Sequence, residues 1–423
     1  MKVLRSLCVA AAGLLLAACG SHNGGTSTPS ANVRFVNASS DATLTVNFNA
    51  TPEYVNVPPA SATSYVPVTP GTASVTVTGT SGTLASPASN LAFASAQTYT
   101  LLAYVRDGAI VLAQVAENQV VPAAGNSTIG IANLSPDSGA LDVYVVAPGT
   151  TTLAGLAPTF QSTSYRAAPA WATFVSGSFD IWATAGGNQN DIRLHLPAVS
   201  LAGGEVVLLA TTSTGGGALV NAALLTSAPS AQFIAASNAR VRVVSALPVN
   251  GSSPVTASVG TTSLAPVFSP NPGTYTLVTG GATSYTLSIA GTPVANLPAA
   301  TFGAGSDYTI VVYGAVNAPI VAVYTDTNQV PTVGGDVNLR LINAGVTATG
   351  GLTLYDNNVA VASALPYGAA SAYFGVPAVT AALELVAPSL TSVTLTQPLG
   401  PTGSVYTVFV IDSSLTPYVI RDR

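Results

Sequence analysis

Val33-Arg34-Phe35-Val36-Asn37 returns three times along the chain, as Ile129-Gly130-Ile131-Ala132-Asn133, Val241-Arg242-Val243-Val244-Ser245 and Leu339-Arg340-Leu341-Ile342-Asn343. The small polar residues that end these copies are 96, 112 and 98 positions apart. Self-similarity at a nearly fixed period marks a chain built from repeated units. A second alternating segment follows each copy, at residues 44–48, 141–145, 255–259 and 352–355. Alternation with period two predicts strands with one covered face. Late in each unit comes an apolar run: Tyr99-Thr100-Leu101-Leu102-Ala103-Tyr104, Val206-Val207-Leu208-Leu209-Ala210, Tyr308-Thr309-Ile310-Val311-Val312-Tyr313 and Tyr406-Thr407-Val408-Phe409-Val410-Ile411. Unbroken apolarity over so short a run predicts a strand covered on both faces. Past residue 20, no stretch keeps a helical period for three turns without Gly, Pro or a β-branched cluster.

About seven short strands per unit, with turn residues between them, predict an immunoglobulin-like sandwich. The fold class expected is all-β: tandem immunoglobulin-like antiparallel β-sandwich domains after a separate N-terminal segment. Small-residue segments at 123–126, 235–237 and 333–335 divide the chain into repeats 32–126, 127–236, 237–335 and 336–423. Linkers this short put neighbouring repeats in contact, and two tightly paired modules per unit fit the spacing equally well.

The first residues have the three parts of a secretory signal: Lys2 and Arg5, an apolar run at 7–16, then small residues. The run is shorter than the roughly 20 apolar residues that span a bilayer. Leu16-Ala17-Ala18-Cys19-Gly20 resembles the lipobox of bacterial lipoproteins. That resemblance implies cleavage between Ala18 and Cys19, a diacylglycerol on the Cys19 thiol and often a further acyl chain on the new amine. Two or three chains anchor stably, at about 0.8 kcal/mol per buried methylene. Chance placement of a cysteine in an alanine-rich signal is the competing explanation, but a Gly/Ser/Thr/Asn-rich tether follows Cys19. Residues 1–18 are thus expected to be the signal and 19–31 the lipidated cysteine and tether, placing the protein at the cell envelope with the membrane as its partner. Gly20 stands where lipoproteins of the inner membrane carry Asp, which implies the outer membrane in a Gram-negative host.

Composition narrows the chemistry. Lys2 is the only lysine, Cys8 leaves with the signal, and the only histidines are His22 and His195. The processed chain therefore lacks Schiff-base and P-loop lysines, a cysteine nucleophile and clustered zinc ligands. No catalytic residue, cofactor or metal site is assigned. Nine arginines against sixteen acidic residues leave a net charge of about −7 after processing, poorly suited to a phosphate backbone. Nucleic acid is excluded as a partner.

The repeats resemble a known bacterial family, the domain of unknown function 4397 (DUF4397). The residues that carry the likeness are Val33 to Ala38 with Asp41, Leu134-Ser135-Pro136-Asp137 with Asp142 to Val145, Tyr308 to Tyr313, and the mid-repeat tyrosines Tyr65, Tyr165, Tyr275 and Tyr373. The resemblance would cover nearly all of the processed chain in four divergent copies. It implies an extracytoplasmic β-sandwich, often in lipid-anchored or surface proteins, and supplies no catalytic residues. Repeat two departs most, with Gly130 for the opening Arg and Glu205-Val206 for Tyr-Thr.

Repeat two also holds both tryptophans, Trp171 and Trp182, and His195, so a specialised ligand-facing site is expected there. Exposed tryptophans stack on sugars, whereas buried ones are ordinary in sandwiches. Alternation puts Asp191, Arg193 and His195 on one strand face. An Asp/His pair is half of a hydrolase triad, but no Gly-x-Ser-x-Gly elbow accompanies it. Arg34, Arg242 and Arg340 recur at one repeat position, to bind an anion, hold repeats together, or cover apolar surface with their stems. Asp137, Asp142, Asp326 and Asp356 fall at expected turns or strand starts, where turn capping competes with calcium. The sequence thus favours a non-enzymatic envelope protein that binds a glycan or envelope protein, adheres, or acts as a spacer. An envelope hydrolase using His195 is one alternative. A self-associating surface assembly is another, since no lysine guards the sheet edges.

Overall fold

The structure is a computed structural model. It describes residues 28–423, apart from 81, 83, 118–119, 227–229, 249–252, 348–349, 397–398 and 412–413. Ala18, Cys19 and the signal lie outside the described residues. The described chain forms eight sheets, two to a repeat, and its one helical element is the 3-10 turn Pro136–Ser138. Among the described residues no helix is long and apolar enough to cross a membrane.

In repeat one, the front sheet sets the opening strand Ala31–Asn37 beside Thr98–Arg106, which pairs with Ala109–Ala116. The back sheet runs in the order Thr51–Val57, Leu44–Phe48, Gly71–Gly79, Ser89–Phe93. The other front sheets repeat the plan. Asn126–Asn133 neighbours Val206–Ser213 and then Val220–Thr226, while Asn238–Ala246 neighbours Asp307–Ala315 and then Ala318–Asp326. Asp336–Asn343 neighbours Val405–Val410 and then Pro417–Arg421. One pairing in each front sheet is parallel, placing Arg34 opposite Thr100, Gly130 opposite Leu208, Arg242 opposite Thr309 and Arg340 opposite Thr407. Parallel neighbours need a long crossover, and the back sheet of each sandwich is that crossover.

Alternation decides what each strand buries. In the opening strand of repeat one, Val33 and Phe35 enter the sandwich core with Leu44, Val46, Val75 and Leu101. Val36 points the other way, with Leu102 and Tyr104, onto Leu134, Leu208 and Leu225 of repeat two. The apolar strand Thr98–Arg106 is therefore covered on both faces, by its own sandwich and by the next repeat. Repeats three and four meet in the same way, Val244, Val311 and Tyr313 packing against Ile342 and Phe409. The sandwiches stand in two pairs, front sheet against front sheet. Each fully buried Val, Leu or Phe contributes roughly 1.5–3 kcal/mol.

The Asn that ends an opening strand ties the two sheets together. Asn37 Nδ2 donates to the Ala42 and Val57 carbonyls at 2.7 and 3.0 Å, and its Oδ1 accepts from the Ser39 amide at 3.1 Å. Asn133 and Asn343 do the same in their repeats. Repeat three has Ser245, a shorter side chain, whose buried hydroxyl has no hydrogen-bond partner among the described residues.

Candidate functional site

The outward faces of the front sheets carry charge as well as apolar side chains, and both are buried. Between repeats three and four, Arg242 Nε donates to Thr309 Oγ1 at 2.9 Å and its Nη2 lies 2.6 Å from Asp422. Reciprocally, Arg340 Nε donates to Thr407 Oγ1 at 3.0 Å and its Nη2 pairs with Asp326. Thr309 donates to Asp326, and Thr407 to Asp422. Each arginine thus bonds the threonine of its own repeat and the carboxylate of the other, closing a ring of six side chains across the interface. The guanidinium groups lie 4.6 and 4.9 Å from the ring centres of Tyr275 and Tyr373, within cation–π range. Burial alone would raise the Asp326 carboxyl, but Arg340 and Arg242 outweigh it and hold it below the ordinary carboxylate value. At Asp422 burial prevails, and that carboxyl is held above it.

The contact between repeats one and two is the lopsided version. Arg34 donates to Thr100 Oγ1 at 2.8 Å, pairs with Glu117 at 3.0 Å and reaches the Thr226 carbonyl of repeat two at 2.6 Å. Repeat two has no arginine at the matching position, although Arg166 reaches back to the Leu112 carbonyl of repeat one at 2.5 Å. Gly130 lies directly opposite Trp171, and a Cβ at 130 would sit 2.4 Å from the indole ring. Trp171 fills the room that an arginine takes elsewhere, and Leu208 replaces the threonine beside it. Trp171 therefore packs into the interface of repeats one and two, away from the other two aromatic candidates.

Trp182 and His195 do come together. They face each other on Gly177–Ala185 and Asn188–Leu201, and their rings stack at 3.5 Å between centroids and 13° between planes. Tyr144 continues the row on the next strand. Both stacked residues are half-buried, which leaves part of this aromatic face open. Asp180 Oδ2 is 3.9 Å from His195 Nε2, too long for a hydrogen bond. The Asp180 oxygens instead accept the Ala198 and Gly149 amides at 2.8 and 2.9 Å, which hold its carboxyl below the ordinary value. Burial pulls the imidazole below its ordinary value, keeping it neutral at pH 7. His195 Nε2 has no hydrogen-bond partner among the described residues. A triad needs its base bonded to both an orienting acid and a nucleophile, and His195 shows neither bond here.

Asp191 and Arg193, on the same strand face, turn toward repeat three. Asp191 pairs with Arg193 at 2.6 Å and with Arg240 at 2.5 Å. The polar face read from alternation is thus a docking face between repeats. Next to it, Asp307 accepts from Arg240 Nε at 2.8 Å, Asn328 at 2.7 Å and the Ala218 amide at 3.1 Å. The loop carrying Ala218 comes so close that a Cβ on Gly216 would lie 2.4 Å from Ser306. Asp137 is a second hub, accepting Arg106 of repeat one at 2.7 and 2.8 Å, Ser213 at 2.6 Å and the Val330 amide at 3.0 Å.

The four carboxylates weighed for calcium do not converge. Asp137 pairs with Arg106 and Asp326 with Arg340, Asp142 accepts the Ser162 and Gly187 amides, and Asp356 accepts the Ala382 amide. Among the described residues, no three or more His, Cys, Asp or Glu are grouped to hold a metal ion. Sequence reading missed the threonine of each network and the acids Glu117 and Asp422, and weighed Asp326 only for turn capping or calcium. Their signal was present: Thr100, Thr309 and Thr407 all follow a tyrosine, and Glu117, Asp326 and Asp422 all close a last strand.

Residues 31–144 match the model of a family described as a domain of unknown function (DUF4397). The matched segment takes in the first sandwich, the first strand of the second and part of its second strand, Leu141–Val146. No curated protein matches the chain. Among solved structures, the Bacillus anthracis TIE protein is similar at 11% identity and a TM-score of 0.15, over 87% of this chain and 66% of that one.

Proposed function

We propose that this chain is a lipid-anchored cell-envelope protein whose four sandwiches act as a non-enzymatic scaffold, displaying a binding surface at a set distance from the membrane. The observation that carries this reading is where the ionisable side chains go. Arg34, Arg106, Arg240, Arg242 and Arg340 and their carboxylates are spent on contacts within and between repeats. The Asp180/His195 pair has its carboxylate committed to backbone amides. The lipobox-like Leu16–Cys19 segment supports the anchor, and the 12 residues from Cys19 to the opening strand at Ala31 reach about 40 Å when extended. The half-open stack of Trp182 on His195 is the surface offered to a glycan or an envelope protein, since a flat aromatic face suits a sugar ring.

Two experiments test this. Mass spectrometry of protein extracted from envelopes should find an acylated N-terminal Cys19, and Cys19→Ser should release the protein from membranes. An unmodified mature start elsewhere defeats the anchor. Soluble residues 20–423 should bind a glycan or peptidoglycan panel and lose that binding in Trp182→Ala. Silence across the panel removes the display role and leaves a spacer.

A further inference from the structure

A cleft of about 300 Å³ opens between repeats one and two, with Ala38, Ala60 and Tyr104 on one side and Thr212, Ala223 and Phe233 on the other. Sheet register shows why room is left there. Asn37 pairs with Ala103 and Asn133 with Thr211, so Thr212 stands in repeat two where Tyr104 stands in repeat one. Ser245 pairs with Val312 in the same way, which makes Tyr313 the counterpart in repeat three. Tyr313 packs edge to face on Tyr367 of repeat four, at 5.1 Å between ring centres. Counted from the matching pairs Val36–Ala62 and Ile342–Ala370, the position of Tyr367 is held by Pro59 in repeat one. The residues that follow, Ala60 and Gly368, both have positive φ, 48° and 74°, as expected of the same turn. Where repeats three and four bring two phenol rings together, this end of the first contact has Thr212 and Pro59. The cleft is the room that such rings take.

Its walls decide what fits. None of the described residues lining it is charged, and Tyr104, Ala223, Phe233 and Ile234 make much of it apolar. Its polar side chains are largely taken. Ser39 donates to Asn37 Oδ1, Ser213 to Asp137 and Thr214 to the Gly305 carbonyl, each at 2.6 Å. A polyhydroxylated sugar therefore finds few free partners, and an anion finds no cation. One acceptor is placed for a single hydroxyl. The Tyr104 hydroxyl donates to the Leu134 carbonyl at 2.7 Å. Ala38 is the counterpart of Leu134, since their amides bond the Ala103 and Thr211 carbonyls respectively, and Ala38 lines the cleft. An apolar cavity of about 150 Å³ holds benzene, so the larger volume here admits one or two rings, and it stands at the small end of ligand pockets.

We propose that this cleft binds a small neutral phenol of one or two rings, seated against Tyr104 and Phe233 with its hydroxyl on the Ala38 carbonyl. The bound ring supplies the packing that Tyr313 and Tyr367 supply between repeats three and four. The site is independent of the Trp182 surface, which lies on the back sheet of repeat two, and of any glycan bound there.

The test is calorimetric titration of residues 20–423 with 2-naphthol, which is neutral at pH 7, and with 2-naphthoate as its charged match. One 2-naphthol should bind per chain, with 2-naphthoate at least tenfold weaker. Thr212→Tyr, which restores the ring found in repeats one and three, should weaken 2-naphthol at least tenfold. Should that variant fail to fold, crystals of the unaltered protein soaked in 4-bromophenol decide the question, through an anomalous bromine peak in the cleft beside Tyr104 and Phe233. No saturable binding of 2-naphthol, equal affinity for 2-naphthoate, full affinity in folded Thr212→Tyr, or no bromine in the cleft overturns the proposal.

Discussion

Replacing Arg340 with Met removes one corner of the ring between repeats three and four. The side chain is 2% exposed. It meets Asp326, Thr407 Oγ1 at 3.0 Å, the Thr325 carbonyl at 3.2 Å and the ring of Tyr373 at 4.9 Å. Met fills much of the stem volume, so the loss is mainly electrostatic: Asp326 stays buried, with the hydroxyls of Thr309 and Tyr275 as its nearest donors. Breaking one side of a buried pair costs about 3–5 kcal/mol. In a pair of sandwiches of this size, each kcal/mol moves the melting temperature by about 2–4 °C, so a fall of roughly 6–20 °C is expected. Scanning calorimetry reads it, and tryptophan fluorescence separates the pairs, because Trp171 and Trp182 report repeat two alone. The double variant Arg340→Met/Asp326→Leu should recover at least half of the loss, since an apolar replacement of both partners is often tolerated. A loss below about 1 kcal/mol, as for an exposed pair, or no recovery in the double variant, would refute the reasoning.

Acid should act on the same contacts. Asp326 and Asp191 are held below the ordinary carboxylate value, in each case because neighbouring arginines outweigh burial. Their stabilisation is complete above the unfolded value of about 3.9 and fades as pH falls through the lower folded one. Urea midpoints should therefore drop steeply below about pH 4, and less so in Asp326→Asn. Gly130→Val drives a side chain into Trp171, 2.4 Å away at Cβ; overpacking costs about 1–3 kcal/mol, and the indole emission should shift to the red. His195 lies below its ordinary value and stacks on Trp182, so its protonation should quench the indole with a midpoint below about 6.5. Fluorescence titration should lose that step in His195→Gln.

What the sequence disclosed and what it withheld have one physical origin. Strand alternation is local, so Val33 and Phe35 could be assigned to a core face from spacing alone. The unbroken runs at 99–104 and 308–313 also announced strands covered twice. Which body covers the second face is a long-range fact: Leu102 meets Leu208 across the chain, and no window of residues contains both. The recurring arginines invited three explanations, and contact between repeats is what the structure shows. Asp191 and Arg193 read as one polar strand face, and that face docks onto repeat three, because period two records only that a face differs, never what lies against it. Trp171, offered as a ligand-facing candidate, instead stands in for a missing arginine. That exchange is visible only once Gly130 and Trp171 are known to be opposite each other.

Arginine footprinting with phenylglyoxal on native residues 20–423 tests most directly whether charge is buried between the sandwiches. Arg166 and Arg421 are exposed, whereas Arg34, Arg193, Arg240, Arg242 and Arg340 are buried. Mass mapping should find rapid labelling at Arg166 and Arg421, and protection of the other five until denaturant unfolds the chain. Labelling of Arg242 and Arg340 in native protein at the rate of Arg421 would mean that the front sheets stand open to water, and the interlocked arrangement would be wrong.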